Sequence, residues 1–481
     1  MLLPLLLLMA GPVPAAPNGG DLDPLVKTFV DVLGAVQQNA ADPAATDQLV
    51  FSGAIPGLLR TLDPHSVFFD PQQYEQVKQM EHSEQKGFGT VVSVLPGRVI
   101  VLQALPGTPS AKSGLSPGDE ILAVNNVALY RLEFNQIVEY LGMARQHRVE
   151  LVVRRPGNAR LLNFTLKPEL MDAPSVDRAF LLRPGFGYVR AASFDPQTGK
   201  LIKDAIEKLG GEKLKGLVLD LRNNPGGVVE AALETASLFL QPGQKILSIR
   251  GRSVKSKDVE VPKGVTPYVF PVAVLVNEKT ASAAEIVSGA LQDHDRAVVV
   301  GVPTYGKGLV QSVYPLSGDT AMALTTAFYY TPSGRSIQRP LKSGDLQIEH
   351  QNDEFETDSG RYVAGGGGIQ PDVAVEPKAP TRLEAALDGS GVISSFAIDY
   401  AQKHKVDAAF RVPASVLDDF ESYASERGIQ PGVDEWSADI AWIESRLNEE
   451  IVTQVGGFAM ADQVAAGRDV IVQRALDAIA K

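Results

Sequence analysis

The chain has 481 residues, 44% of them hydrophobic, and carries a formal charge of −12 from 45 Lys and Arg against 57 Asp and Glu. That length holds about two to four domains with a sizeable core, and the acidic balance argues against a nucleic-acid binder, which would show a basic face. The absence of cysteine excludes disulfides, thiolate catalysis and zinc–cysteine sites; six scattered histidines with no H-E-x-x-H make a zincin centre untenable, and no metal or cofactor is expected.

The N-terminus reads MLLPLLLLMAGPVPAAP. Leu2 to Met9 form a short apolar run, and Val13-Pro14-Ala15 places compact residues at the −3 and −1 positions of a cleavage site. This predicts a secretory signal over 1–15. A bilayer span needs ~20 apolar residues, so no stable membrane span is expected there. Residues 18–82 show apolar spacing near 3.6 and read as a mostly helical region, with Asp-Pro pairs as stops and starts.

Residues 83–170 change character. "GFGTVVSVLPGRVIVLQAL" is β-branched and alternating around a Pro-Gly turn, which predicts a hairpin. A short helix, a strand with a tight Asn-Asn turn, an amphipathic helix and two closing strands follow, making a compact binding module. From 171 to 380 strand and helix alternate, which argues an α/β core with a largely parallel sheet. Residues 341–368 interrupt it with six acidic and two basic side chains and end in four glycines; they read as a solvated surface insertion. From 381 to 481 the pattern is helical.

Three segments could carry chemistry. Ser282 opens NEKTASAAEIVSGAL's helix, where Ser282-Ala-Ala-Glu285 is a capping box. A cap needs no catalysis, but a helix start also offers free amides, that of Ala283 among them, and a positive dipole end for an oxyanion. Lys307 sits in Gly301-Val-Pro-Thr-Tyr-Gly306-Lys307. The next residue is Gly308 and the following pattern is β-rich, so a P-loop is rejected. Lys307 is either an exposed loop lysine or a general base made available by burial, with Gln311 four residues on to hold it. "DLRNNPGG" (220–227) is either an ordinary β–α turn or a bend that points a Gly226 or Gly227 amide into a cleft. Ser116 lies in G-x-S-x-G, but Pro117 lacks the amide a nucleophile elbow uses, so Ser116 reads as a turn residue. His294 is the one rival base near Ser282 in sequence.

Taken together, "LDPHS", "GFGT", "GTPSAKSGLSPGDEILAVNN", "GLVLDLRNNPGG", "VLVNEKTASAAEIVSGALQD", "PTYGKGLVQ", "LTTAFYYTPSGRSIQ" and "GIQPDV", in that order over about 60–380, resemble the carboxyl-terminal processing (tail-specific) Ser/Lys proteases. The resemblance implies a Clp protease/crotonase-like α/β core with an inserted PDZ domain and helical N- and C-terminal regions. It implies Ser282 as nucleophile, Lys307 as base, Gln311 as its orienting partner, and oxyanion amides on Ala283 and on Gly227 or Gly226. Gly87, Phe88, Gly89 and Thr90 would form the PDZ loop that takes a free C-terminus by strand addition. It further implies protein substrates with nonpolar tails, export to the periplasm or its membrane face, a homo-oligomer, and a partner lipoprotein. The alternative is a catalytically silent PDZ scaffold or apolar-ligand carrier on the same fold; loss of Ser, Lys or Gln would mark it, and all three are present.

Overall fold

The computed structural model describes residues 7–9, 23–42, 45–81, 84–95, 98–105, 107–155, 158–252, 256–340, 354–376, 378–407 and 410–480. The expected signal cleavage site and residues 341–353 of the acidic segment lie outside them. Contacts divide the chain into two compact units, one of 1–83, 174–374 and 475–481, the other of 84–173 and 375–474.

The first unit is built on a six-stranded sheet in the order Val176–Arg183, Phe186–Ala191, Gly216–Asp220, Val272–Val276, Ala297–Gly301, Val373–Ala374. All neighbours after the first pair are parallel. Gly216–Asp220 and Val272–Val276 are buried along their whole length, as the strands of a parallel sheet covered on both faces must be. Helices Thr198–Leu209, Val229–Ser237 and Ala283–Asp293 supply the crossovers. The last of these is buried at every position, polar residues included. A second sheet pairs Leu309–Pro315 antiparallel with Ala321–Tyr330, which also pairs with Lys245–Arg250 and, near its start, with Val67–Phe69. Ahead of it, helix Asp23–Asn39 and the helical stretch Gln48–Arg60 match the expected helical character.

In the second unit, strands Thr90–Leu95, Arg98–Ala104, Glu120–Val124, Val149–Arg154 and Leu162–Leu166 form the sheet of the inserted module, with helix Phe134–Ala144. Asn125 and Asn126 take φ of 46° and 65°, the primed turn that an Asn-Asn pair tolerates. Glu84–Gly87 pairs antiparallel with Glu169–Asp172, so the module's two ends are zipped together. The same unit contains the C-terminal helices, packed around Phe396, Phe420 and Trp436. No helix among the described residues is long and apolar enough to cross a membrane.

The described half of the acidic segment differs from a freely solvated insertion. Glu354–Glu356 and Tyr362–Ala364 form a hairpin. Arg361 pairs with Asp295 at 2.7 Å, Asp358 Oδ2 meets His294 Nδ1 at 2.7 Å, and Arg335 donates to the Ala364 carbonyl at 3.0 Å. Composition counts the charges of a segment but cannot show the partners that wait for them elsewhere in the chain.

Candidate active site

Three loops leave the carboxyl ends of three neighbouring parallel strands, Gly216–Asp220, Val272–Val276 and Ala297–Gly301, the edge where α/β sheets place their ligand sites. They carry "NNPGG", Ser282 and Lys307 respectively, and hydrogen bonds stitch them together. Thr280 Oγ1 donates to the Leu221 carbonyl at 2.8 Å, Ala281 N–H to the Asn224 carbonyl at 2.9 Å, and Tyr305 N–H to the Thr280 carbonyl at 2.9 Å.

Asn224 shapes the first loop. Its Nδ2 donates to the Ala191 carbonyl at 2.7 Å, and its Oδ1 accepts the Gly226 amide at 2.8 Å. That bond already occupies the Gly226 amide. Gly226 serves by lacking a side chain: at φ 92°, a Cβ there would lie 2.7 Å from Ser282 Cβ and 2.9 Å from the Ala283 nitrogen. Gly227, at φ 142°, remains the candidate donor beside Ala283.

Ser282 is fully buried and has φ 59°, ψ −118°, a strained backbone for a non-glycine residue that costs about 1–3 kcal/mol. Its amide donates to Glu285 Oε2 at 2.8 Å, while the Glu285 amide donates to the Ser282 carbonyl at 2.8 Å. Among the described residues the Ser282 hydroxyl has no hydrogen-bond partner. The S-x-x-E pattern therefore starts the helix while leaving Oγ uncommitted.

Lys307 has no exposed surface. Its Nζ donates to Gln311 Oε1 at 2.6 Å, and Gln311 Nε2 donates to the His65 carbonyl at 2.6 Å. Burial brings the Lys307 pKa down to about 7, against the opposing pull of the Glu285 and Asp63 charges. A neutral amine near physiological pH can accept a proton, which an exposed lysine cannot.

The capping box accounts for one partner of Glu285. Glu285 is the hub: besides the Ser282 amide, it accepts the amides of Lys307 at 2.9 Å and Gly306 at 2.8 Å, and the Thr304 hydroxyl. Burial raises its pKa, and these four donors pull the other way. Tyr329, which no sequence expectation gave a role, donates to both the Ser282 and Lys307 carbonyls, at 3.1 and 2.8 Å. The glycine run supports the Lys307 loop: Gly368 packs so close to Thr304 that a Cβ would meet its carbonyl oxygen at 2.6 Å.

The other candidates fall elsewhere. Ser116 sits in a turn that runs into strand Glu120–Val124. His294 caps the far end of the 11-residue helix that Ser282 begins, about 18 Å along its axis. Both its ring nitrogens are engaged, Nδ1 with Asp358 and Nε2 with the Lys245 carbonyl, each at 2.7 Å. In the module, Gly87 ends a paired strand, Gly89 has φ 69°, and Thr90 begins Thr90–Leu95. The Phe88 and Gly89 carbonyls accept from Ser110 and Leu105 at 3.0 and 2.8 Å, which ties the loop back to the module.

The chain matches the family profile "Peptidase family S41" over residues 185–346 and "PDZ domain" over 100–155. It is 35% identical over 310 residues to the carboxy-terminal-processing protease of Bartonella bacilliformis, across 63% of this chain and 70% of that protein. It is 29% identical over 326 residues to the carboxy-terminal processing protease CtpA of Bacillus subtilis, across 68% of each. Among solved structures it is similar to a photosystem II D1 C-terminal processing protease, at 26% identity and TM-score 0.42, over 78% of this chain and 90% of that one. Fold, family profiles and relatives define a mixed α/β serine peptidase with a PDZ domain and helical ends. The chain belongs to the carboxyl-terminal processing proteases of peptidase family S41.

Proposed function

We propose that Ser282 and Lys307 form the catalytic pair, oriented by Gln311, and that the enzyme cuts exported proteins near nonpolar C-terminal tails. The observation that carries this reading is the burial of Lys307, with its pKa brought to about 7 and its Nζ held 2.6 Å from Gln311 Oε1. Neutral Lys307 takes the proton from Ser282 Oγ as Oγ bonds to the scissile carbonyl carbon. The oxyanion that forms is met by the amides of Ala283 and Gly227, and one such donor contributes roughly 100–1000-fold in rate. The C–N bond then breaks, and the Lys307 ammonium gives its proton to the leaving amine. Water, deprotonated by Lys307, then bonds to the acyl carbon; the C–Oγ bond breaks, and the Lys307 ammonium returns the proton to Ser282 Oγ.

The loop 87–90 and strand Thr90–Leu95 would receive the substrate's free C-terminus by strand addition, raising the local concentration of the scissile segment. The apolar run of the first nine residues supports export to the periplasm. Exposed Leu25, Phe29 and Val32 on the first helix support association of two or more copies. Purified Ser282→Ala and Lys307→Ala are expected to fold, lose peptidase activity and, for Ser282→Ala, lose labelling by a fluorophosphonate. Activity surviving in Lys307→Ala would sink the Ser/Lys mechanism.

A further inference from the structure

Gln311 is a two-sided connector whose direction matters. A side-chain amide can be turned by 180°, exchanging its oxygen and its NH2. With the oxygen toward Lys307, as here, Gln311 accepts an N–H and leaves the amine lone pair for the Ser282 proton. With the NH2 toward Lys307, it would donate into that lone pair and quench the base. The His65 carbonyl decides between the two, because a carbonyl can only accept and so demands the NH2.

The turn that presents this carbonyl is itself built. Asp63, His65 and Ser66 are all buried. Asp63 Oδ1 accepts the His65 and Ser66 amides at 2.7 and 2.8 Å, and its Oδ2 accepts the Ser66 hydroxyl at 2.7 Å. Ser66 Oγ in turn accepts the Thr325 amide at 3.1 Å, and Thr325 is the cross-strand partner of Gln311. The ladder is irregular between Val310 and Gln311, right beside this pair. His65 and Ser66 grip both members of that pair.

We propose that the turn at 63–66 is a positioning element of the base: Asp63 holds the turn, the His65 carbonyl sets the direction of Gln311, and Gln311 keeps the Lys307 lone pair available. The inference rests on Lys307 being the base. The charged and titratable groups around Lys307 are Glu285, Asp63 and His65, whose imidazole burial and the Lys307 charge keep below its ordinary pKa.

The test is a double-mutant cycle read in steady-state peptide hydrolysis. Asp63→Ala is expected to lower kcat by about 10- to 100-fold with KM changed by less than about twofold, since mispositioning of about 1 Å costs on that order. In a Gln311→Ala background the same substitution is expected to cost nothing further, which a merely structural role would not produce. Asp63→Asn keeps an oxygen for the two amides and serves if Asp63→Ala does not fold; without the Asp63 charge, the acidic limb of its kcat profile should move to lower pH. Wild-type kcat with an unmoved limb, or losses that add in the double variant, would overturn the proposal. An inactive Lys307→Ala beside a fully active Asp63→Ala would remove only the turn's role; an active Lys307→Ala would remove the base assignment itself.

Discussion

The Lys307 amide donates to Glu285 Oε2 at 2.9 Å, on the same oxygen that accepts the Ser282 amide at 2.8 Å. One buried carboxylate thus fixes the backbones of both halves of the proposed dyad. Glu285→Ala would leave four donors unpaired and is expected to cost about 3 kcal/mol or more, measured by denaturant unfolding. Glu285→Gln preserves shape but turns an NH2 toward donors; kcat should fall about tenfold or more while the fold persists.

The pH dependence follows from Lys307. Its pKa of about 7 means that below this value the amine is protonated and cannot take the Ser282 proton. The kcat/KM of the wild-type enzyme should therefore rise with pH through about 7 and level off above it. The Glu285 charge holds the Lys307 pKa up, so Glu285→Gln should shift this limb to lower pH. A profile flat through neutrality would remove Lys307 as the group that titrates.

Gly226 and Gly264 make a matched pair. Both have positive φ, 92° and 88°, so alanine at either position costs about 1–2 kcal/mol in backbone strain. Nothing lies within 4 Å of a Cβ on Gly264, whereas one on Gly226 would press on Ser282 and the Ala281 and Ala283 backbone. Gly264→Ala should retain its activity. Gly226→Ala should lose about 100-fold or more in kcat, because backbone at the nucleophile has no room to yield.

His294→Ala separates proximity in sequence from proximity in space. Both ring nitrogens hold structure, one the 354–364 hairpin and one the Lys245 carbonyl. The variant should lose about 1–3 kcal/mol of stability, read by thermal unfolding, with kcat within about twofold of wild type. Abolished turnover in a folded variant would make His294 the base.

The α/β core was legible because its signals are local. Continuous apolar runs such as "KGLVLDLR" and "VFPVAVLVN", each followed by a helical pattern, announce buried parallel strands and crossovers whatever else the chain does. The Asn125-Asn126 turn was readable for the same reason. The S-x-x-E box placed the start of the Ser282 helix correctly, yet said nothing of the other three donors on Glu285, which come from residues 304–307. The acidic segment misled in the opposite way: its charges suggested solvent, but Arg361 and Asp358 meet Asp295, Asp372 and His294.

By itself, the sequence determined which residue types stand where: a hydroxyl at a helix start, a lysine between glycines, an amide four residues further on, and the strand periods that order them. Only the tertiary structure decided what those groups can do. It withdrew Lys307 from water, which lowers its pKa toward neutrality, bonded the Gly226 amide to Asn224, and brought the His65 carbonyl to Gln311 across 246 positions of sequence. Burial and hydrogen-bond partnership arise from segments remote in the chain, and no spacing rule within a segment carries them.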